Sequence, residues 1–252
     1  MPWRPGAPKS QYEGVSRQHP TAADGAHPLD NAVWWALVIR HQELAEVRGR
    51  ARKYRSDVSV FAAVDTFDPA SWADLAHLVG PSHTCALFRG DVPSDLPRGW
   101  TGVGRVRCQQ MLVEADRLAA PTHLPLRRLT PDDVPLMLDL VAVTDPGPFR
   151  SGTIAMGRYW GYFEGDRLVS MAGERLGFDG YTEISAVCTH PDVQGRGFGS
   201  ALTRHAASEI LDRGERPFLH VAESNTGALR VYEKLGFVQT RLVEAVLVRP
   251  PR

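Results

Sequence analysis

Residues 183–200 read EISAVCTHPDVQGRGFGS: an apolar, β-branched run meets His190-Pro191-Asp192 and then Gln194-Gly195-Arg196-Gly197-Phe198-Gly199-Ser200. The first part, Thr182 to Thr189, has the composition of a strand, and the residues after the glycines, through about Leu211, have helical periodicity. A strand that empties through glycines into a helix is suited to holding an anion, because uncommitted backbone N–H groups and the positive end of the helix dipole converge there. Three glycines within five residues weaken a helix start, which an ordinary turn has no need to do. The spacing weakens both of the commonest nucleotide-loop readings. No Gly-Lys-Ser/Thr is present, and GRGFGS is not G-x-G-x-x-G followed by an acidic strand end.

Composition sets the outer limits. The chain has 252 residues, 43% hydrophobic and 23% charged, as expected of one large or two modest globular domains. Its 29 basic and 29 acidic side chains cancel, which argues against a surface built for nucleic acid or anionic membrane. Cys85, Cys108 and Cys188 are too few and too scattered for a disulfide framework and form no CxxC pair, so a reducing cytoplasm fits and no metal is implied. No apolar run reaches the length of a membrane span, and the N-terminus lacks the basic-then-apolar order of a secretion signal.

Residues 1–28, rich in Pro, Gly, Ser and Gln, read as a flexible arm. A helix follows from about Ala32 to Ile39, with Asp30 or Asn31 able to cap it and with Val33, Trp34, Leu37 and Val38 at helical spacing. Val58 to Val64 and Thr84 to Phe88 are strand candidates on either side of a helical pattern from Ala70 to Val79. The basic run Arg48, Arg50, Arg52, Lys53, Arg55 reads as the solvated end of a helix, and Trp34, Trp35 and Trp72 as core aromatics. Residues 29–120 thus form an N-terminal α/β domain of unassigned role. Pro121, Thr122 and Pro125 mark a boundary near residue 121.

The pattern beyond it is strand Leu126 to Leu129, a Thr130 cap, and helix Asp132 to Val143. Strands Tyr159 to Phe163 and Leu168 to Leu176 are joined through Glu164-Gly165-Asp166 as a hairpin. After the glycine turn come strand Phe218 to Ala222, helix Thr226 to Leu235 and a last strand around Leu242 to Val248.

Gln194-x-x-Gly197-x-Gly199 after such a strand resembles the acyl-CoA-binding turn of the GCN5-related N-acetyltransferase (GNAT) superfamily. The resemblance extends to His190-Pro191-Asp192 before it, to Asn225, and to Tyr232-Glu233-Lys234-Leu235-Gly236-Phe237 after it, with an FR47-like pattern in the C-terminal half. It implies an α+β fold with a mixed, mostly antiparallel central sheet flanked by helices over residues 121–252. It leaves room for residues 29–120 to be a degenerate second copy.

The resemblance also implies an activity: transfer of an acetyl group from acetyl-CoA to an amine on a small molecule or peptide, by direct attack. A silent acyl-CoA-binding protein and a longer-chain acyltransferase are the alternatives. By the same resemblance, Gln194, Gly195, Arg196, Gly197, Phe198, Gly199 and Ser200 would hold the coenzyme pyrophosphate. Val187, Cys188 and Thr189 would line its pantetheine arm, with the Val187 N–H as an oxyanion donor. Asn225, a helix cap on its own account, would touch the same arm. Tyr232 would return a proton to the departing thiolate, and Glu183 or His220 would take one from the amine. Cys188 is better read as a small core residue than as a nucleophile. Acceptor identity and oligomeric state are not legible.

Overall fold

The computed structural model describes residues 27–120 and 124–252. The expected arm therefore lies outside the described residues apart from His27 and Pro28, which open a short 3-10 turn, Pro28–Asn31. Helix α1 (Ala32–Ile39) follows and is apolar on nearly every face, as an element enclosed by other layers must be. Asn31 does not cap it with its side chain; its Nδ2 donates to the Val64 carbonyl at 2.9 Å.

Strands β1 (Ala45–Arg48) and β2 (Ala51–Tyr54) form a hairpin that turns at Gly49, φ 47°. This corrects the basic run, expected at the end of a helix: Arg48, Arg52 and Lys53 lie on the two strands, Arg50 in the turn between them and Arg55 just after β2. Strand alternation spreads the cations over both faces, and three of them meet different partners. Arg52 stands 4.6 Å over the Trp34 ring, Lys53 meets Glu46 at 2.7 Å and Arg50 pairs with Asp68. Strand β3 (Phe61–Val64), helix α2 (Pro69–Val79) and strand β4 (Cys85–Arg89) match the expected elements. The Asp68 carboxylate accepts from the Ser71 N–H at 2.8 Å to begin α2, and Pro69 fills the first helical position, where no N–H is needed.

A twelve-residue strand, β5 (Thr101–Leu112), was not expected. Gly102 and Gly104 remove two side chains from its pattern, and its first seven residues are exposed, so no alternation of apolar and polar residues marks it. Next come β6 (Arg127–Arg128), α3 (Val134–Thr144), β7 (Tyr159–Glu164), β8 (Arg167–Phe178) and β9 (Tyr181–Thr189). The chain ends with α4 (Phe198–Asp212), β10 (Arg216–Ala222), α5 (Thr226–Lys234) and β11 (Val238–Arg249). The Thr130 capping box and the Gly165 hairpin, φ 60°, are formed as expected.

Among the described residues, eleven strands join one sheet in the order β1-β2-β3-β4-β11-β5-β10-β9-β8-β7-β6, mostly antiparallel, with β3 parallel to β4 and β9 parallel to β10. The expected boundary near residue 121 is crossed by three strand pairings, β5 with β10, β5 with β11 and β4 with β11. β5, which precedes it, runs between β10 and β11, and β11, which ends the chain, runs between β5 and β4. Helices α1 and α3 cover one face, with Phe61, Phe88, Phe178 and Phe218 in the core under α1. Helices α2 and α4 cover the other face, where Leu202, Ala206 and Ala207 let α4 approach β9 and β10 closely. The sheet curls so far that Arg175 on β8 lies 5.0 Å from the Phe61 ring on β3. Among the described residues no helix is long and apolar enough to cross a membrane.

A fragment starting at residue 121 would expose the facing edges of β10 and β11 and the apolar surface beside them. We expect residues 121–252 expressed alone to aggregate or to melt without a cooperative transition by circular dichroism, and co-expression with residues 1–120 to restore one.

Candidate active site

The site begins where a strand pair ends. β9 and β10 run parallel from Tyr181 opposite Arg216 to Ile184 opposite Leu219, and there the ladder stops. On the other side of β9, Ser185 faces Gly173 and Cys188 faces Met171, so two β9 residues oppose one of β8. This is a bulge, and Ala186 within it holds φ 52°. From Ser185 onward the β10 side of β9 has no strand beside it, leaving backbone donors and acceptors available to a ligand.

β9 then meets the glycine turn. Gly195 and Gly197 adopt φ of 78° and 84°, a region L side chains rarely enter, and a Cβ on either would project into open space. Gly197 begins α4 with no side-chain cap, so the first N–H groups of a fifteen-residue helix remain uncapped by any side chain. At Gly199 a Cβ would lie 3.4 Å from Thr189 Oγ1, so glycine lets the helix start sit close against the strand.

A cleft of about 560 Å³ opens here, between β9, the turn and helix α5. Of the residues named from the sequence it is lined by Val187, Cys188, Thr189, Gln194, Gly195, Gly197, Phe198, Gly199, Ser200 and Tyr232. Thr203, Gly227, Ala228 and Val231 add to its wall and were missed, since each follows a recognised motif by only a few residues on the same helix face. Arg196 points away, bonded to Glu164 at 2.7 Å. Asn225 caps α5, its Oδ1 accepting from Ala228 N–H at 3.1 Å, and does not itself line the cleft. Burial pushes the Tyr232 phenol up to about 12, with Cys188 adding to the rise, so it stays protonated at neutral pH. Burial likewise pushes the Cys188 thiol up to about 11, against hydrogen bonds from Thr144 and the Met171 backbone, which leaves no thiolate.

Glu183 and His220 lie elsewhere, on the opposite face of the sheet and under the curl. The Glu183 side chain is fully buried and receives two hydrogen bonds from Arg175, Nη2 at 2.6 Å and Nε at 2.8 Å. His220 Nδ1 lies 2.6 Å from Glu183, and Gln110 Nε2, an amide donor, lies 2.9 Å from His220 Nε2. The imidazole is therefore neutral with its proton on Nδ1, donating to Glu183. Burial lowers its pKa, opposed by Glu183. Burial alone would raise the Glu183 pKa, but the charge and hydrogen bonds of Arg175, joined by His220, hold it down at about 2. Arg175 was not singled out from sequence, since its role depends on a curl that brings Phe61 and Phe88 beside it. Near the same pair, Tyr159 Oη is the buried side-chain polar atom without a partner among the described residues.

A bulged strand that parts from its parallel neighbour and enters an uncapped glycine turn defines an N-acetyltransferase type of fold, and comparison with known proteins agrees. Residues 159–246 match the family model described as FR47-like protein. The mycothiol acetyltransferase of Salinispora arenicola is 38% identical over 86% of this chain and 86% of its own length. That of Thermobispora bispora is 34% identical over 38% of this chain, and the match spans 31% of its length. A crystal structure of a GNAT-family acetyltransferase from Novosphingobium aromaticivorans superposes with a TM-score of 0.82 at 34% identity, over 90% of this chain and all of that one. The chain belongs to the GNAT family of N-acetyltransferases, with an FR47-like domain in its C-terminal half.

The buried pair yields a stability prediction. Glu183→Gln strips the buried Arg175 of its countercharge and should cost about 3–5 kcal/mol, whereas Glu183→Gln combined with Arg175→Met should recover most of that, read from urea unfolding. Because the folded-state pKa lies below the unfolded one, the Glu183 contribution is present above ordinary carboxylate pKa values and is lost as pH falls towards about 2.

Proposed function

We propose that the protein transfers the acetyl group of acetyl-CoA to an amine in a ternary complex. The observation that carries this reading is the cleft, whose walls are the unpaired stretch of β9 and the uncapped start of α4, with Tyr232 in the same lining. Backbone N–H groups from Gly195 to Ser200 hold the pyrophosphate, and Val187 to Thr189 run beside the pantetheine arm. The Val187 N–H donates to the thioester oxygen as negative charge builds on it, and Tyr232 supplies a proton to the leaving sulfur.

The amine must give up a proton before it attacks. A carboxylate held near 2 by Arg175 is a weak proton acceptor, and the Nε2 lone pair of His220 is engaged by Gln110. We therefore assign Glu183 and His220 to positioning within the sheet and proton removal to water at the cleft. The same sequestration of Glu183 favours, as a second reading, a protein that binds acyl-CoA without turnover. Acceptors related to mycothiol come first in any amine panel, given the similarity to the Salinispora arenicola protein.

Calorimetric titration of acetyl-CoA tests the cofactor before the acceptor is known. Wild type and Tyr232→Phe should bind alike, and Gly197→Trp should bind at least tenfold more weakly, about 1.4 kcal/mol, with a thermal melt lowered by the strain of a side chain at φ 84° but still cooperative. With an amine supplied, Tyr232→Phe should release CoA about a hundredfold more slowly. No binding by wild type would sink the reading, and binding without turnover over a broad panel would favour the silent form.

A further inference from the structure

A second cavity, of about 640 Å³, lies in the part of the chain to which no role has been given. Its floor is Tyr54 and Phe61, both almost fully buried, and its rim carries Lys53, Arg150 and Arg249. Strand pairing fixes where this cavity opens. β9 and β10 run parallel, and the end of β10 at Ala222 sits opposite Cys108 of antiparallel β5. The start of β5, Gly102, faces Val248 near the end of β11, and Val248 faces Cys85 at the start of β4. β3 runs parallel to β4, so Phe61 starts at the same end, where the last residue of β2, Tyr54, also lies. The mouth between Tyr54, Phe61, Cys85 and Arg249 therefore lies towards the same end of the strands as the parting of β9 from β10, six residues along β5 beyond the Cys108–Ala222 pair. Its lining draws on both layers, Tyr54 and Phe61 from the core under α1 and Val79 and Cys85 from the core under α2, and it shares no lining residue with the coenzyme cleft.

The charge at this mouth is one-sided. Lys53, Arg150 and Arg249 face a single carboxylate in the lining, Glu46, which is taken by Lys53 at 2.7 Å. Arg150 reaches the Ser56 carbonyl, a neutral acceptor that leaves its charge uncompensated. Arg249 is exposed and enters no ion pair among the described residues. The hydroxyls of Ser56, Ser82 and Thr84 complete a polar rim. At the inner end, the Phe61 ring separates the cavity from the Arg175 guanidinium 5.0 Å away, and Arg175 grips Glu183. Guanidinium groups without a carboxylate partner, at the mouth of a cavity floored by aromatic rings, suit a ligand with an anionic group outside and a less polar part within.

We propose that this cavity is the acceptor-binding site and that the acceptor is an amine bearing a carboxylate or phosphate, which Arg249 and Arg150 hold at the mouth. This rests on the transferase reading above and adds the class of its substrate. It gives the N-terminal half a function: β2, β3 and β4 supply the recognition surface, and the FR47-like part supplies the donor cleft.

The test is titration of inorganic phosphate, and separately of malonate, into the whole protein with and without saturating CoA, followed by calorimetry. CoA blocks phosphate at the glycine turn, so anion binding that persists with CoA present reports the second cavity. We expect one saturable site, weakened at least tenfold by Arg249→Gln and further by Arg150→Gln, partly restored in Arg249→Lys, with CoA affinity unchanged. The stronger of the two anions tells phosphate from carboxylate. Amino acids should then be acetylated ahead of their amides, through KM rather than kcat, and that preference should fall towards unity in Arg249→Gln. Saturable anion binding that is indifferent to both arginines, or no such binding, overturns the proposal. Failure of CoA itself to bind would instead overturn the donor reading, and the arginine dependence of anion binding in the CoA-free arm would still decide the acceptor site.

Discussion

The interleaving of β5 and β11 is the constraint on which the rest of the structure depends. Each of these twelve-residue strands is hydrogen-bonded on both sides over part of its length, and each is bordered by strands from the other half of the sequence. One continuous sheet results, and its right-handed twist over eleven strands closes into a curl. The curl brings β3 and β4 against β8, and so surrounds the Arg175 side chain with aromatic rings. Two independent domains joined by a linker would leave that guanidinium in water.

Removing Arg175 and Glu183 from water together changes the character of both. A buried carboxylate is ordinarily raised in pKa and can take up a proton, but one in two hydrogen bonds with a guanidinium is held ionised. The glutamate has been made chemically quiet, and His220 is fixed in one tautomer between it and Gln110. What the cleft itself presents is backbone groups at the end of β9 and the Tyr232 phenol. Such groups are set by strand geometry and are insensitive to pH across the neutral range.

The cleft beside β9 was legible in the sequence because it is local. Strand, glycine turn and helix lie within residues 181–212, and their chemistry follows from positive φ at Gly195 and Gly197 and from a helix start without a cap. Tyr232 was legible through a second local motif. What could not be read depends on chain segments far apart in sequence. β5 shows no strand alternation, because its exposed half needs none and its two glycines supply no side chain. The basic hairpin was taken for a helix end because five cations within eight residues look the same in either element until a partner strand is known. Glu183 could be placed on its strand, but its partner sits eight residues back on β8, across a register that two irregularities displace.

The position of β11 also bears on how the chain is made. β11, which closes the middle of the sheet, leaves the ribosome after the ten described strands before it, and until it does, β4 and β5 lack the neighbour they share. A nascent chain that has released residues up to β10 holds open edges on both sides of that gap. Assembly of the sheet must wait for β11, and closing loops of such length makes that step slow relative to helix formation. The sheet therefore cannot close before β11 has emerged, and the interval between synthesis of β4 and emergence of β11 is when the open edges most need protection by chaperones.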